Sequence, residues 1–298
     1  MIFFILPVSR RLNHMIPIDH HVHLEKGPYS LEWLEAFIQS ATDHHVTRLG
    51  IVEHTTQFRA LMGPDRREPA PGNDPASLAQ KAWFERHMNR GRLREYTAFI
   101  EQARKRYPTT TFGLEVDWFG NTETTDTDMD FDWDFLIGSV HFIEDKAADN
   151  PGLPGIWDKS PVSDVYIRYF DLLRKAVESR TFDILGHLDV LKMVRPLPAD
   201  SKVAESLDRL IDAITVSGIT VEINTAFSYR QEAREEFCPS HDIIARLVSR
   251  GVPLTLSSDA HRPEHVGMNL DKAAGALKAL GVKCVHRFQR RKSEGVSL

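Results

Sequence analysis

Little in this chain points to a membrane, a secretory route or a nucleic-acid partner. Of its 298 residues only two, Cys238 and Cys284, are cysteine. That is too few for a disulfide scaffold and suits a reducing cytoplasm. No segment approaches the ~20 apolar residues that a membrane helix needs. Met1 to Leu6 is apolar, but Arg10 and Arg11 follow it. A secretory signal has its charges first and a longer apolar stretch. Excess positive charge is lacking too: the net charge is −5, which argues against long nucleic acid as a partner and gives no basic surface for a membrane. There is no internal repeat, low-complexity tract or linker. What is left, 42% hydrophobic and 27% charged residues, is ordinary for a globular protein with one sizeable core. Met15 stands just before Ile16-Pro17-Ile18-Asp19. Residues 1–14 therefore read as an extension or an overcalled start, and 15–298 as a single domain.

Strand-like and helix-like stretches alternate along that domain. Residues 16–19, 48–53, 111–116, 135–140, 184–186, 220–223 and 254–257 are short apolar runs of strand type. Residues 30–44, 79–105 (interrupted at Gly91), 164–179, 203–216, 241–250 and 273–280 carry helical periodicity. Ser30 is placed to cap the first helix, and Gly251 to stop the one at 241–250. Residues 63–75 and 147–161 are rich in Gly and Pro and read as loops. Residues 283–288 read as a final strand. The alternation predicts parallel strands with crossover helices, and seven strands plus the last favour a barrel over an open sheet.

Histidine and carboxylate residues cluster at the ends of these strands. His21 and His23 flank Val22; His54 follows Glu53; Glu115 and Asp117 end the third run. His141 closes Gly138-Ser139-Val140-His141, His187 sits in Gly186-His187-Leu188-Asp189, and Asp259 and His261 close Ser257-Ser258-Asp259-Ala260-His261. In a parallel barrel these strand ends converge at one mouth, and imidazole with carboxylate is the donor set that divalent metals take. Each residue alone has a plainer reading. A His-x-His pair merely shares one strand face; Glu115, Asp117 or Asp259 alone would more readily cap a helix or pair with a cation. Coincidence fails for the set as a whole. It holds too many ligands for one ion, so a cluster of two or three is expected, with Glu115 as the bridging carboxylate. Such a cluster makes hydroxide available near neutral pH. His14, His44, His45, His87, His241, His265 and His286 lack the strand-end context, and His20 faces away from His21 if the strand is regular.

In that order, His-x-His, Glu-His, Gly-x-Glu-x-Asp, Gly-Ser-Val-His, Gly-His-x-Asp and Ser-Asp-Ala-His, the motifs resemble the polymerase and histidinol phosphatase (PHP) superfamily from Asp19 to about Lys292. The finer resemblance is to its monofunctional histidinol-phosphatase branch. It rests on Ile18-Asp19-His20-His21-Val22-His23-Leu24-Glu25-Lys26-Gly27-Pro28-Tyr29, on Val221-Glu222-Ile223-Asn224-Thr225-Ala226, on Leu254 to His261 with Pro263-Glu264 and Val266-Gly267, and on the final run Arg287 to Lys292. The resemblance implies a distorted (β/α)7 TIM-like barrel. It also implies a phosphomonoesterase converting histidinol phosphate and water to histidinol and phosphate, and up to three ions of Zn, Mn or Fe. Carried over, His21, His23, Glu115 and Asp259 would hold one ion, Glu115, His141 and His187 a second, and His54 and His261 a third. The further histidine that many members place after His-x-His is missing here. Glu25 is the oxygen donor available in its stead.

A phosphate needs cationic partners. Arg230 and Arg262 are the candidates, with Arg195 and Lys192 behind them; all but Arg230 read more readily as solvated charges. Asp189 or His261 would supply the proton for the leaving alkoxide. Three other readings compete: an amidohydrolase-like barrel, which usually carries a metal-bridging Lys not found here; a phosphoesterase for another small ester or a nucleotide; and a metal-binding module without activity.

Overall fold

The computed structural model describes residues 15–61, 75–87, 91–120, 130–144, 146–153, 155–230 and 236–298. Residues 1–14 and most of the loop expected at 63–75 lie outside them. Strands β1 (Asp19–Val22), β2 (Leu49–Ile51), β3 (Thr111–Asp117) and β4 (Phe135–Ser139) run parallel side by side. Beyond them β5 (Phe142–Ile143) and β6 (Lys146–Ala147) form a small antiparallel hairpin of their own. The main sheet then continues through β7 (Ile184–Leu185), β8 (Thr220–Asn224) and β9 (Leu254–Ser257). A Val22–Ala260 bridge, with His23 N donating to Ala260 O at 2.8 Å, brings β9 back to β1. The sheet is thus a nearly closed barrel of seven parallel strands.

Helix α1 (Leu31–Asp43) joins β1 to β2, and α2 (Pro75–His87) and α3 (Leu93–Arg106) join β2 to β3. The short α4 (Ile156–Lys159) and the long α5 (Val162–Glu178) lie between β6 and β7. α6 (Ser201–Ser217) precedes β8, α7 (Ala226–Arg230) and α8 (His241–Ser249) precede β9, and α9 (Leu270–Ala279) follows it. Between β3 and β4 no helix occurs among the described residues; 121–129 lie outside them. Ser30 caps α1 as expected, its Oγ accepting from Trp33 N at 3.2 Å.

Alternation along each strand divides the core in two. Phe112, Leu114 and Val116 of β3, Val221 and Ile223 of β8, and Leu254 and Leu256 of β9 face the helices. The opposite set points into the barrel. At the floor it is apolar: Val52, Phe135, Ile137, Ile184 and Phe288 pack together. Toward the C-terminal ends of the strands it turns polar, with Glu115, Asp117, Glu222, Asn224 and Ser257 all buried.

Two expectations need correction. The β1–β2 register shifts between Asp19 and Val22, so the strand is not regular. His20 and His21 consequently both meet barrel-interior groups. His20 Nδ1 lies 2.9 Å from Thr255 Oγ1 and its ring packs edge-on against Phe135, while His21 reaches Glu115 and Glu222. An irregularity of this kind re-aims side chains beside a site. Second, the final strand is not part of the barrel. β10 (Cys284–Gln289) pairs antiparallel with β11 (Lys292–Ser297), and this hairpin closes the floor. The buried Asp134 bolts it down, accepting Arg290 N at Oδ1 (3.1 Å) and Arg291 N at its carbonyl (2.8 Å). Phe288 is the plug, 5% exposed. Phe288→Ala is expected to lower unfolding free energy by about 3 kcal/mol or more, read by equilibrium denaturation; a loss under about 1 kcal/mol would show the hairpin to be an appendage.

Candidate metal centre and its cavity

Glu115 sits near the end of β3, 1% exposed, and five imidazoles converge on its carboxylate. Oε1 faces His187 Nε2 at 2.9 Å and His141 Nε2 at 3.3 Å. Oε2 faces His54 Nδ1 at 3.0 Å, His21 Nε2 at 3.2 Å and His23 Nε2 at 3.4 Å. Asp259 approaches from β9, with Oδ1 3.7 Å from His23 Nε2 and 4.0 Å from His21 Nε2. Its backbone is left-handed (φ 52°), a conformation that a non-glycine residue keeps only when its surroundings enforce it. Here Asp19 enforces it, accepting Ser258 N at 2.8 Å and Gly267 N at 3.0 Å. Burial raises Asp19 to about 6 despite these bonds.

The donors fall into groups whose ligand atoms lie within 4.8 Å of one another. His21, His23 and Asp259 make one; Glu115, His141 and His187 a second; His23, His54 and His261 a third. Two further groups, His54–Asp117–His141 and His23–Glu25–Glu53, share these residues. The metal ligands expected from the sequence thus meet around one hub, Glu25 at its edge through the group it shares with His23 and Glu53. Glu25 also lies 2.8 Å from His261 Nδ1 through Oε1, and Lys26 Nζ is 3.3 Å from the same oxygen.

Behind the inner ring stand carboxylates that hold the imidazoles. Glu222 Oε2 lies 2.9 Å from His21 Nδ1, and Oε1 accepts His187 N. Asp117 Oδ1 lies 2.7 Å from His141 Nδ1, while Oδ2 accepts Thr56 N and Thr56 Oγ1. A carboxylate on Nδ1 fixes the tautomer whose Nε2 offers its lone pair. Glu222 was not singled out from the sequence, because Val221-Glu222-Ile223-Asn224 reads as an ordinary alternating strand. Asp117 was noticed but read as a cap or ion-pair partner.

The chemistry of this donor set fits divalent cations. Nε2 of His21, both ring nitrogens of His23 and Oε2 of Glu115 are buried without a hydrogen-bond partner, a costly arrangement unless something bridges them. Burial alone would raise Glu115, but His54, His21 and His141 hold it well below the ordinary carboxylate range. Asp259 is likewise lowered, by Arg230 and His21 against burial. Burial opposes charge on His21 and His141, yet Glu115 with Glu222 and Asp117 lifts both well above the usual imidazole value. His23 goes the other way, to about 3, through burial and the neighbouring His261.

A cavity of about 580 Å³ opens onto the hub. Arg230 lines it and reaches Asp259, with Nη2 at 2.7 Å from the carbonyl and 3.3 Å from Oδ1. Lys26 lines it too, but the other cations expected from the sequence do not. Arg262 is exposed, Arg195 turns back to Val194 O, and Lys192 Nζ is buried on Asp189 Oδ2 (2.9 Å) and Phe237 O. Asp189 is absent from the lining for the same reason: Lys192 and Ser240 N both occupy its Oδ2. It holds the loop after β8.

The PHP domain model matches residues 19–226. The chain belongs to the PHP domain family. It is 30% identical over 281 residues to a protein of Deinococcus radiodurans named "Probable histidinol-phosphatase", covering 93% of this chain and 98% of that one. A relative of the same name from Schizosaccharomyces pombe is 27% identical over 165 residues, 51% of this chain and 52% of its own. Among solved structures, histidinol phosphate phosphatase of Lactococcus lactis, complexed with zinc, L-histidinol and phosphate, superposes with a TM-score of 0.71. It is 19% identical and covers 94% of this chain and 99% of that one. At that identity the likeness speaks for the PHP barrel alone.

Two outcomes follow from the site. Glu222→Gln should weaken Zn binding about 10–100-fold with an unchanged circular-dichroism spectrum; unaltered affinity would show that Glu222 does not orient His21. Because His21, His54 and His141 are raised, they hold protons that a cation must displace. Zn affinity should therefore fall as pH drops from 8 to 5.5, and a flat competition titration would contradict this.

Proposed function

We propose that this PHP protein is a metal-dependent phosphomonoesterase whose substrate is histidinol phosphate, cleaved by water to histidinol and phosphate. The observation that carries the reading is the split of one carboxylate, Glu115, between two imidazole groups at the floor of a cavity that Arg230 also lines. The relative that matches nearly end to end bears the corresponding name.

His21, His23 and Asp259 would hold one ion and His141 and His187 a second, with Glu115 common to both. A third is open to His54 and His261, and filling it would take from His261 its Nε2 proton. Zn, Mn or Fe suits these donors. Bound there, such ions neutralise charge on phosphoryl oxygens and make water a nucleophile near neutral pH. The chain's own groups do the rest. Arg230 presents a guanidinium, already fixed at one edge by Asp259, for a phosphate oxygen. Asp117 and Glu222 keep the Nδ1 protons of His141 and His21, so that their Nε2 atoms stay turned inward. His261, partly exposed to the cavity and held at Nδ1 by Glu25, is placed to carry a proton at Nε2 toward the leaving alkoxide. The cysteines are unpaired and no described helix is long and apolar enough to cross a membrane; both fit a cytoplasmic enzyme acting on a small phosphate ester.

A phosphate-release panel of histidinol phosphate, nucleotides and sugar phosphates tests the reading, with metals quantified on the same sample. Histidinol phosphate should give the highest kcat/KM, chelation should abolish turnover, and Zn or Mn should restore it. Preference for a nucleotide or sugar phosphate would replace the substrate assignment; turnover that survives verified metal removal would refute the mechanism. His261→Asn should lower kcat by about 10²-fold or more while the hub keeps its metal. Loss of metal together with activity would make His261 a ligand rather than a proton donor.

A further inference from the structure

Five carboxylates line the cavity among the described residues: Glu25, Glu115, Asp117, Asp149 and Asp259. Four are committed. Glu115 is the hub, Asp117 holds His141, Asp259 pairs with Arg230 and His261, and Glu25 holds His261. Asp149 stands apart. Among the described residues it makes one ion-pair contact, with His141 Nε2 4.0 Å from Oδ2. It belongs to none of the groups whose donors converge closely enough to share an ion. Burial raises its pKa, opposed by the charges of His141 and His187.

Its position is nevertheless held firmly. Ala148 N donates to His141 O at 2.8 Å, and Trp157 Nε1 donates to Ala148 O at 2.8 Å. Beside it in the cavity wall are Phe142 and Trp83, ring centroids 6.1 Å apart. A partly exposed carboxylate whose one ion-pair contact among the described residues is a 4.0 Å approach to His141, on a cavity wall that aromatic rings share, is a receptor for a protonated amine attached to an apolar or aromatic body.

We propose that Asp149 binds the ammonium group of the substrate and so selects phosphate esters that carry an amine two carbons from the ester oxygen. The inference rests on the phosphatase reading above and deepens it. A phosphate at the hub places its ester oxygen near His141. An amine on the carbon next to the ester-bearing one then lies within reach of a carboxylate one hydrogen-bonding shell beyond that histidine. A neutral or anionic alcohol portion would cover the Asp149 carboxylate, 23% exposed in the free protein, without giving it a partner, which disfavours it.

The test compares 2-aminoethyl phosphate with ethyl phosphate, which differ in the ammonium alone. The metal-loaded wild-type enzyme should favour the amino ester in kcat/KM by about tenfold or more, chiefly through KM. Asp149→Asn should bring the ratio close to one, and Asp149→Glu should restore part of it. Calorimetric binding of L-histidinol should weaken about tenfold in Asp149→Asn, a readout that survives even if that variant is inactive. An unchanged ratio in Asp149→Asn, no preference in the wild type, or unaltered histidinol binding would overturn the inference and leave the phosphatase standing. Hydrolysis of neither ester, nor of any member of the wider panel, would overturn the phosphatase reading itself.

Discussion

A single carboxylate in a dry place organises this protein. Glu115 is almost fully buried and meets five imidazoles from the ends of three strands, β1, β4 and β7, and the segment after β2. Alone, a buried carboxylate is heavily penalised. Here the imidazoles outweigh that penalty, so the site is a set of mutually dependent charges. The fold exists in this form because strand ends are the places where groups far apart in sequence meet at a fixed spacing. The apolar floor beneath, plugged by Phe288, keeps water out from below and leaves one mouth for substrate.

The second layer explains why the first is rigid. Glu222, Asp117 and Glu25 each engage the Nδ1 of a histidine, and Asp19 pins the left-handed turn at Asp259. These are four carboxylates spent on orientation. They cost stability individually and are retained where geometry matters more than stability. Lys192 and Asp189 form a similar buried pair, but it braces the loop after β8 and faces away from the chemistry.

Much of this was legible in the sequence. His21 and His23 stand two apart at the end of a strand-like run, a spacing that aims both at one place, and both reach Glu115 Oε2. Glu115, His141, His187 and Asp259 each follow a clear apolar run, and parallel topology does the rest. What was hidden is equally specific. The irregularity in β1 leaves no compositional mark, so His20 was assigned to the wrong face. Glu222 occupies an unremarkable alternating strand and becomes visible only when His21 is seen to lean on it. Asp189 has the same local context as Asp259, and only its lysine three residues on, folded back beneath it, tells them apart. The C-terminal hairpin escaped because its two-residue turn is Arg290-Arg291, both at positive φ, where such turns ordinarily announce themselves with Asn or Gly. Asp134 holds that turn from outside it.

Anomalous diffraction from crystals grown with zinc tests the central claim most directly. The account predicts two strong peaks, one on each side of the Glu115 carboxylate, with His141 and His187 on one and His21, His23 and Asp259 on the other. Peaks away from Glu115, or a lone peak that leaves either imidazole group without metal, would contradict it.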